Sequence, residues 1–193
     1  MSLHIVKRCA SQLATPLSTI FQHCLTTGRW PTLWKGARVV AIHKKGKITD
    51  PMKYRPTNLL LILGKTLEAI KADNISSYFT SHHLLNIKQV GFRVNRSAAD
   101  LLLHLSTTWH KRLDQEKDTY VIGLDIAGAF DRVWHHGLIT KLNSLGVRSG
   151  HLLLLLHDYL RDRFLRVVVD GQTSEEYSIF AGVPQDRVLS PLL

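Results

Sequence analysis

Apolar side chains recur at helical spacing over residues 3–27: Val6, Cys9 and Leu13, then Leu17, Ile20, Phe21 and Cys24. This period predicts two helices ending near Gly28, with Thr15-Pro16 between them as N-cap and first-turn proline. After the connector Arg29-Trp30-Pro31 the rhythm changes. Arg38 to His43 is rich in β-branched residues and reads as a strand, and Lys44-Lys45-Gly46-Lys47 reads as a basic turn. Tyr54-Arg55-Pro56 predicts extended chain, because the residue before a proline avoids the helical region. Helical spacing returns from about Gly64 to Phe79 (Leu67, Ile70, Ile75, Tyr78) and from about Ala98 to Leu113 (Leu101, Leu102, Leu105, Trp109). Between them, Gln89 to Asn95 reads as a loop.

The run Tyr120-Val121-Ile122-Gly123-Leu124 fits a buried strand with Asp125 at its end. A helix is expected next through Phe130, Val133, Trp134, Leu138 and Leu142, stopping at Gly146, and another over Leu152 to Leu160. Leu165 to Asp170 and Tyr177 to Ala181 read as a hairpin turning at Asp170-Gly171. Strand, helix, helix and hairpin in this order predict an α+β domain. No internal repeat or low-complexity tract interrupts it.

At about 150 residues per domain, 193 residues allow one domain, or one and part of another. A hydrophobic fraction of 45% excludes a fully disordered chain. Cys9 and Cys24 support neither a disulfide framework nor a zinc cluster. The first eight residues lack the pattern of a secretory signal, and the leucine runs 59–63 and 152–156 are too short to span a bilayer. A soluble intracellular protein without membrane contact is the expectation. The net charge of +10 is lopsided: residues 1–96 hold 15 basic and 3 acidic side chains, residues 97–193 hold 10 and 12. Such a basic half either binds a polyanion or is a solvated surface, and composition leaves both open.

Four segments carry candidate chemistry. In Gly123-Leu124-Asp125-Ile126-Ala127-Gly128-Ala129-Phe130-Asp131, a carboxylate sits where an apolar run opens into small residues. That suits a hard divalent cation, with backbone N–H groups left for a phosphate. Alternatively, Asp125 caps a helix and Asp131 is solvated. Val40 to Lys47 with Tyr54-Arg55-Pro56 could grip a triphosphate or a nucleic-acid backbone, or be a solvated turn. Gln89-Val90-Gly91-Phe92-Arg93-Val94-Asn95-Arg96 sets one aromatic beside two arginines, suited to a single strand, unless Phe92 plugs the core. Ala181-Gly182-Val183-Pro184-Gln185 can bring backbone and an amide close to a base or ribose. The 11 histidines show no metal spacing; the adjacent pairs His82-His83 and His135-His136 cannot both face one ion from a helix.

Taken in order, these segments, with Trp34-Lys35, Leu63-Gly64-Lys65, Glu68 and Asp100, closely resemble the reverse transcriptase (RNA-directed DNA polymerase) of non-LTR retrotransposons. The stretch Asp125 to His135 is most similar to the jockey group. The resemblance covers nearly the whole chain. It implies a right-hand polymerase: a helical lead-in over 1–36, then a reverse transcriptase domain over 37–193, with fingers at 37–117 and an incomplete palm at 118–193. Asp125 then matches the first catalytic metal ligand, and the Ile126 carbonyl a further one, in a site for two Mg²⁺ ions. Lys44, Arg55 and the backbone at Gly128 and Ala129 match groups that hold the nucleotide triphosphate. Phe130 matches the aromatic gate against a ribose 2′-OH, and Gln185 a glutamine near nucleotide and template. Gly91, Phe92, Arg93, Arg96 and Pro184 match the template and primer path. The implied partners are an RNA template, a DNA primer and deoxynucleoside triphosphates, and the implied site of action is the nucleus.

The chain departs from the family pattern in three places. The aromatic-Ala-Asp-Asp hairpin that completes the family's metal site has no counterpart, since no Asp-Asp pair occurs anywhere. Asp186-Arg187 follows Gln185 where the family has Gly-Ser, and Thr57-Asn58 follows Pro56 where it has Ile-Ser. Thumb and endonuclease segments are not recognisable. The expectation is a chain without polymerase activity of its own, either a piece of a reverse transcriptase or a non-catalytic RNA-binding remnant.

Overall fold

The computed structural model describes residues 3–59, 61–147, 150–184 and 188–193. They divide into two compact units, residues 1–73 with 128–191 and 193, and residues 74–127 with 192. Mixed α and β structure, with one sheet and six α-helices among the described residues, agrees with the expected class.

The first unit opens with α1 (Leu3–Arg8) and α2 (Ala10–Thr27). The break falls at Cys9 rather than at Thr15-Pro16, which lies inside α2. Pro16 is exposed, so the backbone hydrogen bond it removes falls where water can replace it. Thr19 Oγ1 also donates to the Thr15 carbonyl at 3.1 Å. Gly28 ends α2 in the left-handed conformation (φ 63°) with its N–H on the Leu25 carbonyl, a glycine C-cap.

A sheet follows. Strands β1 (Gly36–His43) and β2 (Tyr54–Leu59) are antiparallel, pairing Arg38 with Leu59 and His43 with Tyr54. β3 (Arg163–Val169) lies parallel to β1 on its other side, and β4 (Gln172–Thr173) and β5 (Tyr177–Ile179) pair antiparallel with β3. The hairpin turn falls where the sequence placed it, at Asp170 (φ 49°) and Gly171 (φ 79°).

Helix α3 (Ile62–Ser81) comes after β2, α5 (His135–Ser144) and α6 (Gly150–Leu160) before β3. Residues expected to start one helix at Phe130 instead form a short 3-10 turn, Phe130–Arg132. Extended backbone at Val133 and Trp134 separates it from α5.

The core of this unit is aromatic. Trp30 stacks edge-on against Tyr159 (4.8 Å between ring centroids) and Trp34 (6.1 Å), and Phe21 meets Trp34 at 6.1 Å. Leu142, Leu155, Leu156 and Leu160 are buried as well. Burial pushes the Cys24 thiol above its ordinary value, which leaves it a packing residue rather than a nucleophile.

The second unit contains the end of α3, where Ile75 and Phe79 are buried, and α4 (Ala98–Leu113). Ser97 and Asp100 form a full capping box at the start of α4, each side chain bonded to the other's backbone N–H. The helix buries no residue fully; Leu102, Leu103 and Leu113 are exposed.

The strand expected at Tyr120–Leu124 does not form. These residues carry no regular structure, and Tyr120 and Leu124 are 90% and 92% exposed. Apolar runs report a tendency to be buried, but a strand also needs a ladder to satisfy its N–H and C=O groups. Among the described residues no ladder pairs with this segment.

Candidate nucleotide and template site

The segments singled out in the sequence fall in both units. Lys44, Arg55, Gly128, Ala129, Phe130 and Pro184 belong to the first; Gly91, Phe92, Arg93, Arg96, Asp125 and Ile126 belong to the second. Gln185, with Asp186 and Arg187, lies outside the described residues.

In the first unit a cavity of about 400 Å³ opens over one face of the sheet. Its floor is β1, β3 and β5, through Val39, Leu165 and Ile179, and its rim carries Asn58, Asp131, Gly182 and Pro184. The rim is held by backbone. Val183 N–H donates to the Phe130 carbonyl at 2.7 Å, and Gly182 N–H to the Val133 carbonyl at 2.9 Å. The segment following β5 is thereby tied to the 3-10 turn of Phe130. Gly182 (φ 86°) has no alternative: a Cβ there would stand 2.8 Å from the carbonyl oxygens of Phe130 and Asp131. Gly128 (φ 64°) starts the same turn, its carbonyl accepting from Asp131 N–H at 3.0 Å. Phe130 is half-buried.

Lys44 and Arg55 sit near the tip of the β1–β2 hairpin, both exposed. Lys44 N–H closes the hairpin on the Lys53 carbonyl at 2.8 Å. Arg55 pairs with Ile42, and alternation puts it on the sheet face of Thr57 and Leu59, whereas Pro56 and Asn58 line the cavity. The arginine is therefore not brought to the cavity side; Asn58 is.

Arg163 was not singled out by sequence and lines the cavity while 2% exposed. Its Nη1 donates to the Tyr159 carbonyl at 2.9 Å, and its guanidinium lies 4.9 Å from the Tyr159 ring centroid. No local motif marks it; only the register of β3 does.

His135 was also passed over, as half of an adjacent pair without metal spacing. The pair diverges in the structure. His135 Nε2 meets the Gly182 carbonyl at 2.7 Å, while His136 is exposed beside Trp134.

In the second unit the loop 82–97 surrounds a cavity of about 620 Å³ lined by Phe79, His83, Asn86, Ile87, Arg93 and Arg96. Arg93 Nη1 donates to the Asn86 carbonyl at 3.0 Å, which directs its guanidinium along the loop. Gln89 Nε2 donates to the Gly91 carbonyl at 3.3 Å. Phe92 takes a positive φ of 56° and is 69% exposed, so it does not plug a core. Asp125 and Ile126 are exposed on the unstructured segment. No group of three His, Cys, Asp or Glu side chains that could hold a metal ion occurs among the described residues. No helix among them is long and apolar enough to cross a membrane.

The profile of the reverse transcriptase (RNA-dependent DNA polymerase) family matches residues 42–193. The chain belongs to that family, and within it to the enzymes of non-LTR retrotransposons. It is 38% identical over 180 residues to the RNA-directed DNA polymerase from mobile element jockey of Drosophila melanogaster, covering 92% of this chain and 19% of that protein. It is 35% identical over 178 residues to the probable RNA-directed DNA polymerase from transposon BS of the same species, covering 92% and 19%. The Pol polyprotein from type-1 retrotransposable element R2 of Popillia japonica is 29% identical over 170 residues, covering 88% and 23%. The chain thus spans about a fifth of the length of the curated relatives it matches.

Proposed function

We propose that this stretch of reverse transcriptase holds the RNA template and the incoming deoxynucleoside triphosphate during RNA-templated DNA synthesis, with residues 1–36 as lead-in, 37–117 as fingers and 118–193 as part of the palm. The observation that carries the reading is the joining of two motif segments, Phe130–Val133 and Gly182–Val183, by backbone hydrogen bonds at the rim of one cavity. In this reading Phe130 stands where a ribose 2′-OH would collide, and the backbone at Gly128 and Ala129 faces phosphate. Lys44 neutralises the triphosphate from the hairpin tip, Arg55 being carried on the other sheet face, and Gln185 and Pro184 meet the nascent base pair. Gly91, Phe92, Arg93 and Arg96 follow the template, with the two arginines on its phosphates.

Reverse transcriptases use divalent metal ions, and Asp125 with the Ile126 carbonyl would be this chain's ligands to Mg²⁺. One carboxylate does not hold two ions, and the described residues supply no cluster that would. They do not fit the complete metal pair, so no chemical step is assigned to it here. Purified chain is accordingly expected to bind primer–template and nucleotide and to extend nothing, and the parent polymerase to act in the nucleus.

Photo-crosslinking of a radiolabelled deoxynucleotide to the chain, with a primer–template present, tests the reading. Label on the peptides containing residues 128–131 and 182–184 is the expected result. Label spread over the chain in proportion to exposed surface would sink it. RNA binding without nucleotide contact is the second reading, favoured by the arginine-lined cavity of the second unit. It predicts salt-dependent RNA retention with no crosslink in those two peptides.

A further inference from the structure

We infer that His135 is a positioning residue, which fastens the Gly182–Pro184 segment to the Phe130 turn and so keeps the two walls of the nucleotide cavity in register. The inference rests on the reading of that cavity given above, and it assigns a role to the histidine that closes the Asp125–His135 stretch, for which the sequence indicated none.

Among the described residues, three hydrogen bonds join the segments. Two are backbone bonds, from Val183 N–H to Phe130 O and from Gly182 N–H to Val133 O, and they fix the register of 182–183 on 130–133. The third is the 2.7 Å contact of His135 Nε2 with Gly182 O. A carbonyl oxygen only accepts, so Nε2 carries the proton in this contact, and the neutral imidazole suffices. The planar 182–183 peptide is thereby held on both edges, its Val183 N–H by the Phe130 carbonyl and its Gly182 carbonyl by His135. His135 is placed for this by the fold: it is the first residue of α5, immediately after the extended Val133-Trp134 link that follows the Phe130 turn.

Why a side chain is needed here follows from Gly182. Close approach of the two segments requires a residue without Cβ and with φ of 86°. Glycine is also the residue with most freedom to leave that conformation. Without the histidine the 182–183 peptide is anchored at one edge only, by Val183 N–H on the Phe130 carbonyl, and a single hydrogen bond lets the plane tilt about it. Fixing that carbonyl restricts the peptide plane, and with it the direction in which the chain leaves toward Pro184. Ser190 Oγ donates to the Pro184 carbonyl at 2.6 Å and holds that end of the segment.

The test uses amide hydrogen exchange on the full 193-residue chain, in variants His135→Leu and His135→Gln. Gln places an amide N–H near the Nε2 position, whereas Leu keeps bulk and removes the donor. Expected for His135→Leu is exchange about tenfold faster at Gly182 and Val183, the equivalent of ~1.4 kcal/mol, with the amides of α5 and α6 unchanged. His135→Gln is expected to restore protection to within about threefold of the native chain, the ~0.6 kcal/mol an imperfect donor would forfeit. Three results would overturn the inference: unchanged exchange in His135→Leu, a His135→Gln variant as loose as the leucine, or loss of protection throughout α5 and α6. The last would make His135 a residue of general stability. Crosslinking of a deoxynucleotide to the native chain reads the function of the cavity independently, so failure of that reading leaves the exchange result standing as a statement about the clamp alone.

Discussion

Lys35 Nζ lies 3.0 Å from Asp158 Oδ2, and the same oxygen accepts the Trp30 backbone N–H at 2.7 Å. One carboxylate on α6 thus ties down the connector between α2 and β1, with the lysine side chain only 6% exposed and the aspartate 28%. Removing the carboxylate strands a buried ammonium and a backbone donor together. Asp158→Ala is expected to cost about 2–3 kcal/mol, at the lower end for a broken buried pair because Asp158 keeps some water. Lys35→Met leaves the Trp30 bond intact and should cost less than half as much. Urea denaturation of the three proteins decides it, and equal losses in the two variants would refute the shared-acceptor account.

Gly28 gives a second handle on the same junction. A Cβ there would stand 2.6 Å from Leu154 Cβ, at a backbone φ of 63°. Gly28→Ala therefore meets two separate penalties, left-handed strain of roughly 1 kcal/mol and overpacking of roughly 1–3 kcal/mol. Leu154→Gly in the same chain, which removes the Cβ that alanine would keep, should recover the second penalty and not the first when compared with Leu154→Gly alone. Full additivity of the two substitutions in a double-mutant cycle would show that the close approach carries no energy.

The capping box of α4 makes its helicity depend on pH. The Ser97 side chain, and then its backbone N–H, hold the Asp100 carboxyl below its ordinary value of 3.8. A depressed native pKa means that the ionised form is favoured by folding, so the contribution is complete above the ordinary value and is lost as pH falls through the lowered one. The native chain is expected to lose helicity below about pH 4, as carboxylates titrate, and circular dichroism of Asp100→Asn should lack that loss. Identical acid titrations for both chains would show that other carboxylates account for the loss.

Hydrophobic period found the Ala98–Leu113 helix to the residue, because an amphipathic stripe marks its face, whereas the break between the first two helices and the start of the helix after Phe130 fell elsewhere. The Asp170-Gly171 turn was equally legible, since only residues tolerant of positive φ fit it. Pro16 misled because a proline signals a helix start only when its lost hydrogen bond would otherwise be costly, and here it is solvated. Tyr120–Leu124 misled for the converse reason, that apolar character does not supply a ladder partner. Of the site, the motif segments were visible in the sequence. The pairing of Gly182–Val183 with Phe130–Val133, the side of the sheet on which Arg55 falls, and the parts of Asn58, Arg163 and His135 were not. Those depend on register and on contacts far apart along the chain, which no local spacing encodes.

Arg93 and Arg96 line the same loop cavity, and they offer the most direct test of nucleic-acid binding by the second unit. If both contact phosphates of a single strand, each should contribute to affinity through counterion release, independent of base sequence. Arg93→Ala is expected to weaken RNA binding by about tenfold at low salt and to reduce the slope of log K against log salt by roughly 0.7, the single-strand value for one phosphate. It should also loosen the loop, because its guanidinium supports the Asn86 carbonyl. Arg96→Ala removes no loop hydrogen bond among the described residues and should lower affinity and slope without that structural effect. Filter binding of a single-stranded RNA across a salt series measures both quantities. A variant that binds more weakly with an unchanged slope would show that its arginine shapes the loop and leaves the phosphates alone.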